Sequence, residues 1–235
     1  MVGKIVDLTR SESVNLNIHY PETDGQPMGE SDIHINAMLY LRQALRYLFK
    51  HAAQTYVAAN MFLYYEEGNP EARRAPDVFV VKGVSKHDRR VYKLWEEQAP
   101  PCVIFEITSR STRLEDLGAK RGLYELLGVR EYFLFDPLDE YLSPRLQGFH
   151  LVESYYQPWV LSPDGTLLSQ ELGVILKPEG ALLRVIDPTT GEEIPTLDEA
   201  IDQTQAASER AALAEAEAAR LRVELEQLRR QLGQD

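Results

Sequence analysis

The run Cys102-Val103-Ile104-Phe105-Glu106-Ile107 limits what this chain can fold into more than any other stretch. Four apolar residues lead into Glu106 and another follows it, which is the pattern of a strand buried on both faces. A carboxylate inside such a strand is costly unless a metal or a cation meets it. Thr108 to Thr112 breaks the strand, and Thr112 with Glu115 forms a capping box that predicts the start of a helix. Leu114, Leu117, Leu123, Tyr124 and Leu127 then share one apolar arc, with Lys120 near its middle. Glu106 and Lys120 both stand where packing alone calls for leucine, and a strand-to-helix contact would let them meet.

Upstream, Ala75-Pro76-Asp77-Val78-Phe79-Val80-Val81 reads as a second strand with an acid at its start. Two acids and a lysine on adjoining elements are the means to hold a divalent metal beside a phosphate. Hard oxygens bind the metal, which acidifies a bound water, and an ammonium steadies the developing charge. Each residue also has a plainer explanation. A strand-end Asp often serves a turn, and Asp116, four residues before Lys120, is a ready ion-pair partner. Their joint order and element placement distinguish the set.

Several blocks resemble the Uma-two family: Pro76-Asp77, Phe105 to Ser109, Asp116 to Tyr124, Gly128 to Tyr132 and Asp136-Pro137. The resemblance runs from Tyr20 to the C-terminal helix. It implies an endonuclease with a restriction-endonuclease-like fold and a PD-(D/E)XK-type site, cleaving DNA to leave a 5′-phosphate. In that site Asp77 matches the PD aspartate and Glu106 the second acid. Two residues after Glu106, where the superfamily usually has lysine, this chain has Thr108. In the Uma-two pattern the lysine has moved to the following helix, which matches Lys120. The resemblance further implies that the first helix lines the site, making Glu30 a candidate third metal-site carboxylate and His34 a possible accessory group. Mg²⁺ or Mn²⁺ is the implied cofactor.

At 235 residues the chain is long enough for one substantial domain and an appendage. Its net charge of −12 argues against a general nucleic-acid binder. The distribution softens this: residues 73–130 hold 12 Lys+Arg against 8 Asp+Glu, a local +4. Lys82, Lys86, Arg89, Arg90 and Lys93 cluster in one loop, expected beside the site, and the first four are possible DNA contacts. A lone cysteine, Cys102, excludes an internal disulfide and fits a reducing cytoplasm. No stretch approaches the roughly 20 apolar residues of a membrane helix, and the N-terminus lacks a signal-peptide core.

Taken in order, residues 1–29 read as an arm with at most a short strand at Val14–Ile18. A helix follows from Ser31 or Asp32 to about Ala52, with Ile33, Met38, Leu41, Leu45, Leu48 and Phe49 as its apolar stripe. Thr55–Asn60 and Met61–Glu66 predict two strands or one bent strand, and Val91–Gln98 a short helical piece. Gly128 suits a helix C-cap, and Glu131–Asp136 predicts a strand parallel to that of Glu106. The order is αβββαβ, an α/β (α+β) restriction-endonuclease-like core. Hairpins follow from Arg145 to Pro195, with Tyr155, Tyr156 and Trp159 expected to pack on the main sheet. The tail, residues 196–235 after a domain of 1–195, is rich in Ala, Glu, Arg and Leu. Leu221, Leu225, Leu228 and Leu232 form a coiled-coil seam, which predicts a homodimer or a helix lying back along the domain.

Two functions fit these residues. One is a metal-dependent endonuclease hydrolysing DNA phosphodiester bonds. The other is a non-catalytic protein of the same fold that recruits a partner through its coiled-coil tail.

Overall fold

The computed structural model describes residues 18–23, 25 and 30–233, with Gln231 and Leu232 described by their backbone alone. Apart from Ile18, the strand expected at Val14–Ile18 lies outside the described residues. Helix α1 (Asp32–Leu48) begins where Ser31 Oγ accepts the His34 amide at 3.2 Å. It buries His34, Ala37, Met38, Tyr40, Leu41, Ala44 and Leu45. It ends four residues earlier than the periodicity predicts, and Ile33 is turned outward.

The strands that follow divide between sheets. β1 (Thr55–Ala59) and β2 (Leu63–Tyr64) are separate, with Asn60 between them in the left-handed region at φ 47°. β2 pairs antiparallel with β3 (Arg73–Arg74) and parallel with β5 (Tyr92–Lys93) in a small sheet. β4 (Val78–Lys82) and β6 (Val103–Ile107) belong with β1 in the main sheet. The helical piece predicted over Val91–Gln98 is β5 followed by the one-turn α2 (Leu94–Glu97).

After β6 the chain forms a short α3 (Arg113–Glu115), a π-helical turn over Asp116–Lys120 and α4 (Arg121–Leu126). The capping box is not made: Thr112 has helical backbone angles, and its Oγ1 accepts the Ser109 amide at 3.1 Å instead. Leu114, placed on the apolar arc by a uniform helical period, is 76% exposed. The π turn breaks that period.

The crossover returns to β7 (Glu131–Phe135), parallel to β6, and β8 (Leu146–Val152) and β9 (Tyr155–Pro158) complete the main sheet in the order β1-β4-β6-β7-β8-β9. β10 (Leu167–Ser169), β11 (Val174–Glu179) and β12 (Leu182–Ile186) make a third, antiparallel sheet. Each face of the main sheet carries a core. Val57, Val78, Val80, Val103, Phe105 and Phe133 pack against α1 and the β10–β12 sheet. Phe79, Ile104, Tyr132 and Leu134 pack with Tyr124 of α4 and with the small sheet. Gly148 lets the third sheet approach, since a Cβ there would lie 2.6 Å from Leu167 Cδ1. Trp159 stacks on Phe133 on one face and Tyr156 on Tyr132 on the other, while Tyr155 is exposed.

The chain ends in α5 (Leu197–Leu232), 36 residues long. It is fixed at its start by a capping box between Thr196 and Glu199 and by the Glu199 carboxylate on Arg184 of β12. Every residue from Ile201 to Arg230 is exposed, so α5 does not lie back along the domain. Among the described residues no helix is long and apolar enough to cross a membrane.

Candidate active site

The antiparallel register of β4 on β6 pairs Val78 with Phe105, so the next residues out, Asp77 and Glu106, stand opposite each other. Opposed residues of such a pair have their Cβ atoms about 4.5–5.5 Å apart, close enough for two carboxylates to share one cation. Asp77 is held on two sides: Oδ2 accepts the Ile107 amide at 2.6 Å and Oδ1 lies 3.1 Å from His34 Nε2. Behind the imidazole, Glu30 Oε2 lies 3.5 Å from His34 Nδ1. Burial disfavours the His34 charge, but Asp77, with Glu30 beyond, outweighs it and raises the pKa.

Glu106 is 1% exposed. Its Oε2 receives Lys120 Nζ at 3.0 Å and its Oε1 the Tyr124 hydroxyl at 2.8 Å. Lys120 also lies 2.8 Å from Asp116 Oδ1, which has no aligned hydrogen bond. Lys120 and Tyr124 are one turn apart and reach the same carboxylate because the π turn hands directly into α4. Burial raises the Glu106 pKa, with the Asp77 and Asp116 charges adding to it and Lys120 opposing. Burial works against the Lys120 ammonium, and Glu106 and Asp116 more than restore it. Thr108, in the place of the usual lysine, is buried with no hydrogen-bond partner for Oγ1 among the described residues.

Of the residues singled out in the sequence, Asp77, Glu106, Lys120 and His34 are thus brought together. Glu30 is held one step away, against His34. The basic loop is not beside this site. Lys82 ends β4 five residues from Asp77, roughly 17 Å along the strand. There it contacts Glu171, while Lys86 donates to the Phe49 and Lys50 carbonyls at the end of α1. Arg89 is paired with both oxygens of Glu97 and Arg90 with Glu22. The charge of this loop is legible in its residues, and its place follows from strand direction: Asp77 precedes β4 and the loop leaves its far end.

The carboxylates suit a hard divalent cation. Among the described residues no three His, Cys, Asp or Glu side chains converge as ligands, which leaves the cross-strand pair Asp77 and Glu106 as candidate donors. Mg²⁺ is commonly held by one or two carboxylates, its other positions taken by water and substrate phosphates. Three acids, Asp77, Glu106 and Asp116, face Lys120 and His34, so with all three ionised the cluster carries negative charge for a cation to balance.

The sequence profile of the Uma2 family, described as "Putative restriction endonuclease", matches residues 12–178. The chain belongs to the Uma2 family. The match to the Uma2 profile includes α1, the main sheet and the π turn, and stops before β12 and α5. The observed αβββαβ order, α1-β1-β4-β6-crossover-β7, gives this Uma2 protein a restriction-endonuclease-like α/β fold. Among solved structures, it is similar to a "putative nuclease belonging to DUF820" from Anabaena variabilis ATCC 29413. That similarity has a TM-score of 0.45 and 12% identity, over 64% of this chain and 81% of that one. No curated protein matches.

Proposed function

We propose that this Uma2 protein is a metal-dependent endonuclease that hydrolyses DNA phosphodiester bonds. The observation that carries the reading is the Lys120 ammonium 3.0 Å from Glu106, the cross-strand neighbour of Asp77. Asp77 and Glu106 would hold Mg²⁺ or Mn²⁺, which when bound supplies a Lewis acid and an acidified water. Lys120 orients the attacking water and offsets charge that builds on the phosphoryl oxygens. Tyr124 keeps the Glu106 carboxylate in one orientation, and His34, braced by Glu30, does the same for Asp77. The test is cleavage of mixed plasmid and single-stranded DNA with Mn²⁺, wild type against Asp77→Ala. Cleavage by both proteins, or by neither, would sink the assignment.

The non-catalytic alternative draws on the acidic net charge, on Thr108 in place of the usual lysine and on the Asp116–Lys120 spacing. That ion pair is present, but it is shared with Glu106 rather than closed at the surface. Nuclease chemistry accounts for this buried arrangement, and scaffolding has no use for it. The buried, unpaired Cys102 accords with work in the cytoplasm.

In this reading residues 1–195 are the nuclease domain and residues 196–235 an assembly helix that forms a homodimer. Ala207, Ala211, Ala214, Ala218, Leu221, Leu225 and Leu228 repeat at alternating spacings of four and three, a seam continuous over the exposed part of α5. The residues flanking the seam support a parallel pairing. Glu217 would face Arg222 of the second copy, Glu224 would face Arg229, and Arg210 would face Glu215. All three pairs are of opposite charge. A dimer would bring two sites to a duplex that has two strands to cut.

A further inference from the structure

A cleft of about 420 Å³ runs along the outer edge of β1, the edge strand of the main sheet. Its walls carry Arg42 and Arg46 of α1, then Lys50, Lys86 and Arg89, against one acid, Asp88. In a chain of net charge −12 such a concentration of cations is out of keeping with the whole.

Three of the five are already engaged. Arg89 is held by Glu97 and lies over the Tyr56 ring, Lys86 donates to carbonyls at the end of α1, and Lys50 sits over Tyr47. Arg42 and Arg46 differ, since neither forms a hydrogen bond or ion pair with any described residue. They are one helical turn apart on the same face, so their charges repel. Partial burial and the Arg46 charge lower the Arg42 pKa. Arg46 lies in the last turn of α1, where the helix dipole favours a cation. Arg42, a turn earlier, is favoured by Tyr56 and by the Asp88 charge, which do not outweigh its burial and the Arg46 repulsion. Two guanidiniums held together without an ion-paired acid are a site for an anion from outside.

The cleft also has a direction. At one end it reaches Ala59 and Met61, and the Asn60 amide between them donates to the Pro76 and Asp77 carbonyls at 3.1 Å. Arg42 and Arg46 lie 8 and 12 residues beyond His34 on the same helix, roughly 12 and 18 Å along it. A nucleic-acid strand whose scissile phosphate lay at Asp77 would carry further phosphates past them.

We infer that the β1-edge cleft is a binding track for the phosphate backbone of a nucleic-acid strand, with Arg42 and Arg46 as its principal contacts. The inference rests on the nuclease reading for the class of ligand, but it concerns binding, which can be measured without cleavage. The experiment titrates a duplex and a single-stranded DNA oligonucleotide against the full chain in EDTA over a range of salt, comparing wild type with Arg42→Gln/Arg46→Gln. The expected result is roughly ten-fold or greater weakening on every sequence, with a log–log salt slope shallower by about two. The melting temperature of the variant should not fall, because a repulsion has been removed, so lost binding would not reflect unfolding. Arg220→Gln/Arg230→Gln on α5 serves as the charge-matched control and should bind like wild type.

Equal affinity and slope in the cleft variant would overturn the track and leave the nuclease reading standing. Failure of the wild type to bind either oligonucleotide would remove both. Inorganic pyrophosphate is the third arm. If it competes as tightly as the oligonucleotide, the cleft holds a small anion and not a strand, which again overturns the track.

Discussion

The Lys120 ammonium lies 3.0 Å from Oε2 of Glu106, although the lysine comes from the helical crossover and not from the strand that carries the acid. The acid–lysine pair of the site is therefore assembled in space and not by adjacent positions on one strand. Lys120→Met removes the only ammonium at these carboxylates among the described residues. We expect turnover to fall at least about 100-fold, a typical loss for one charge-stabilising donor. The fold should persist, because Glu106 and Asp116 can take up protons when their partner is gone. A cost of about 1–3 kcal/mol at neutral pH is expected from leaving them unpaired. Activity assays beside urea titrations separate the two effects.

Burial raises the Glu106 pKa on folding, and burial raises those of Asp116 and Glu131 also. Such an acid binds its proton more tightly folded than unfolded, so stability falls as pH climbs from the ordinary carboxyl value through the raised one. Lys120 is raised as well, but its contribution is fully present below its ordinary value of 10.5 and does not vary in this window. In metal-free buffer the melting temperature should therefore decline between about pH 5 and pH 8. Glu106→Gln should lessen that decline, the parts from Asp116, Glu131 and His34 remaining, while abolishing cleavage. A melting temperature that rises over the same range would contradict this direction.

His34 touches Asp77 through one ring nitrogen and approaches Glu30 through the other. If its work is to orient Asp77, His34→Ala should cost about 10–100-fold in activity or Mn²⁺ affinity, as the loss of a partner behind a metal ligand usually does. Glu30→Gln should cost less than Asp77→Asn. Equal losses of Mn²⁺ affinity by calorimetry would instead make Glu30 a ligand in its own right.

The seam on α5 should set the oligomeric state. A chain ending at Pro195 is expected to be a monomer by light scattering where the full chain is a dimer. Glu217→Lys/Glu224→Lys should weaken the dimer by about ten-fold or more, because exposed pairs contribute about 0.2–1 kcal/mol each and four are reversed. A full chain that is monomeric at micromolar concentration would remove the assembly role of α5.

Much of this fold is legible in the sequence, for identifiable reasons. The buried strands announce themselves as apolar runs, and an acid inside one of them is conspicuous. Glu106 and Lys120 are visible as charges in apolar settings. The capping box at Thr112 and the place of Leu114 come out differently because the helical period is not uniform there, and no composition signal marks a π turn. The basic loop lies elsewhere than expected because it leaves the far end of the strand that Asp77 precedes. Arg42 and Arg46 escape notice for another reason. On a helix they read as an ordinary solvated face, and only the edge of β1 and the Lys86–Arg89 segment turn that face into a cleft.

The π turn at Asp116–Lys120 bears on how a site of this kind can be altered. A wide turn holds one residue more than the α turn it interrupts, so everything beyond it is rotated by about 100° against an unbroken helix. The two acids are fixed by strand pairing, and moving either would mean re-registering the sheet. The lysine is mounted differently. Loss or gain of one residue between Asp116 and Lys120 would re-aim the ammonium while leaving the carboxylates where they are. The cationic partner of the site is in effect on an adjustable bracket, one that can be re-aimed with no change in the strands.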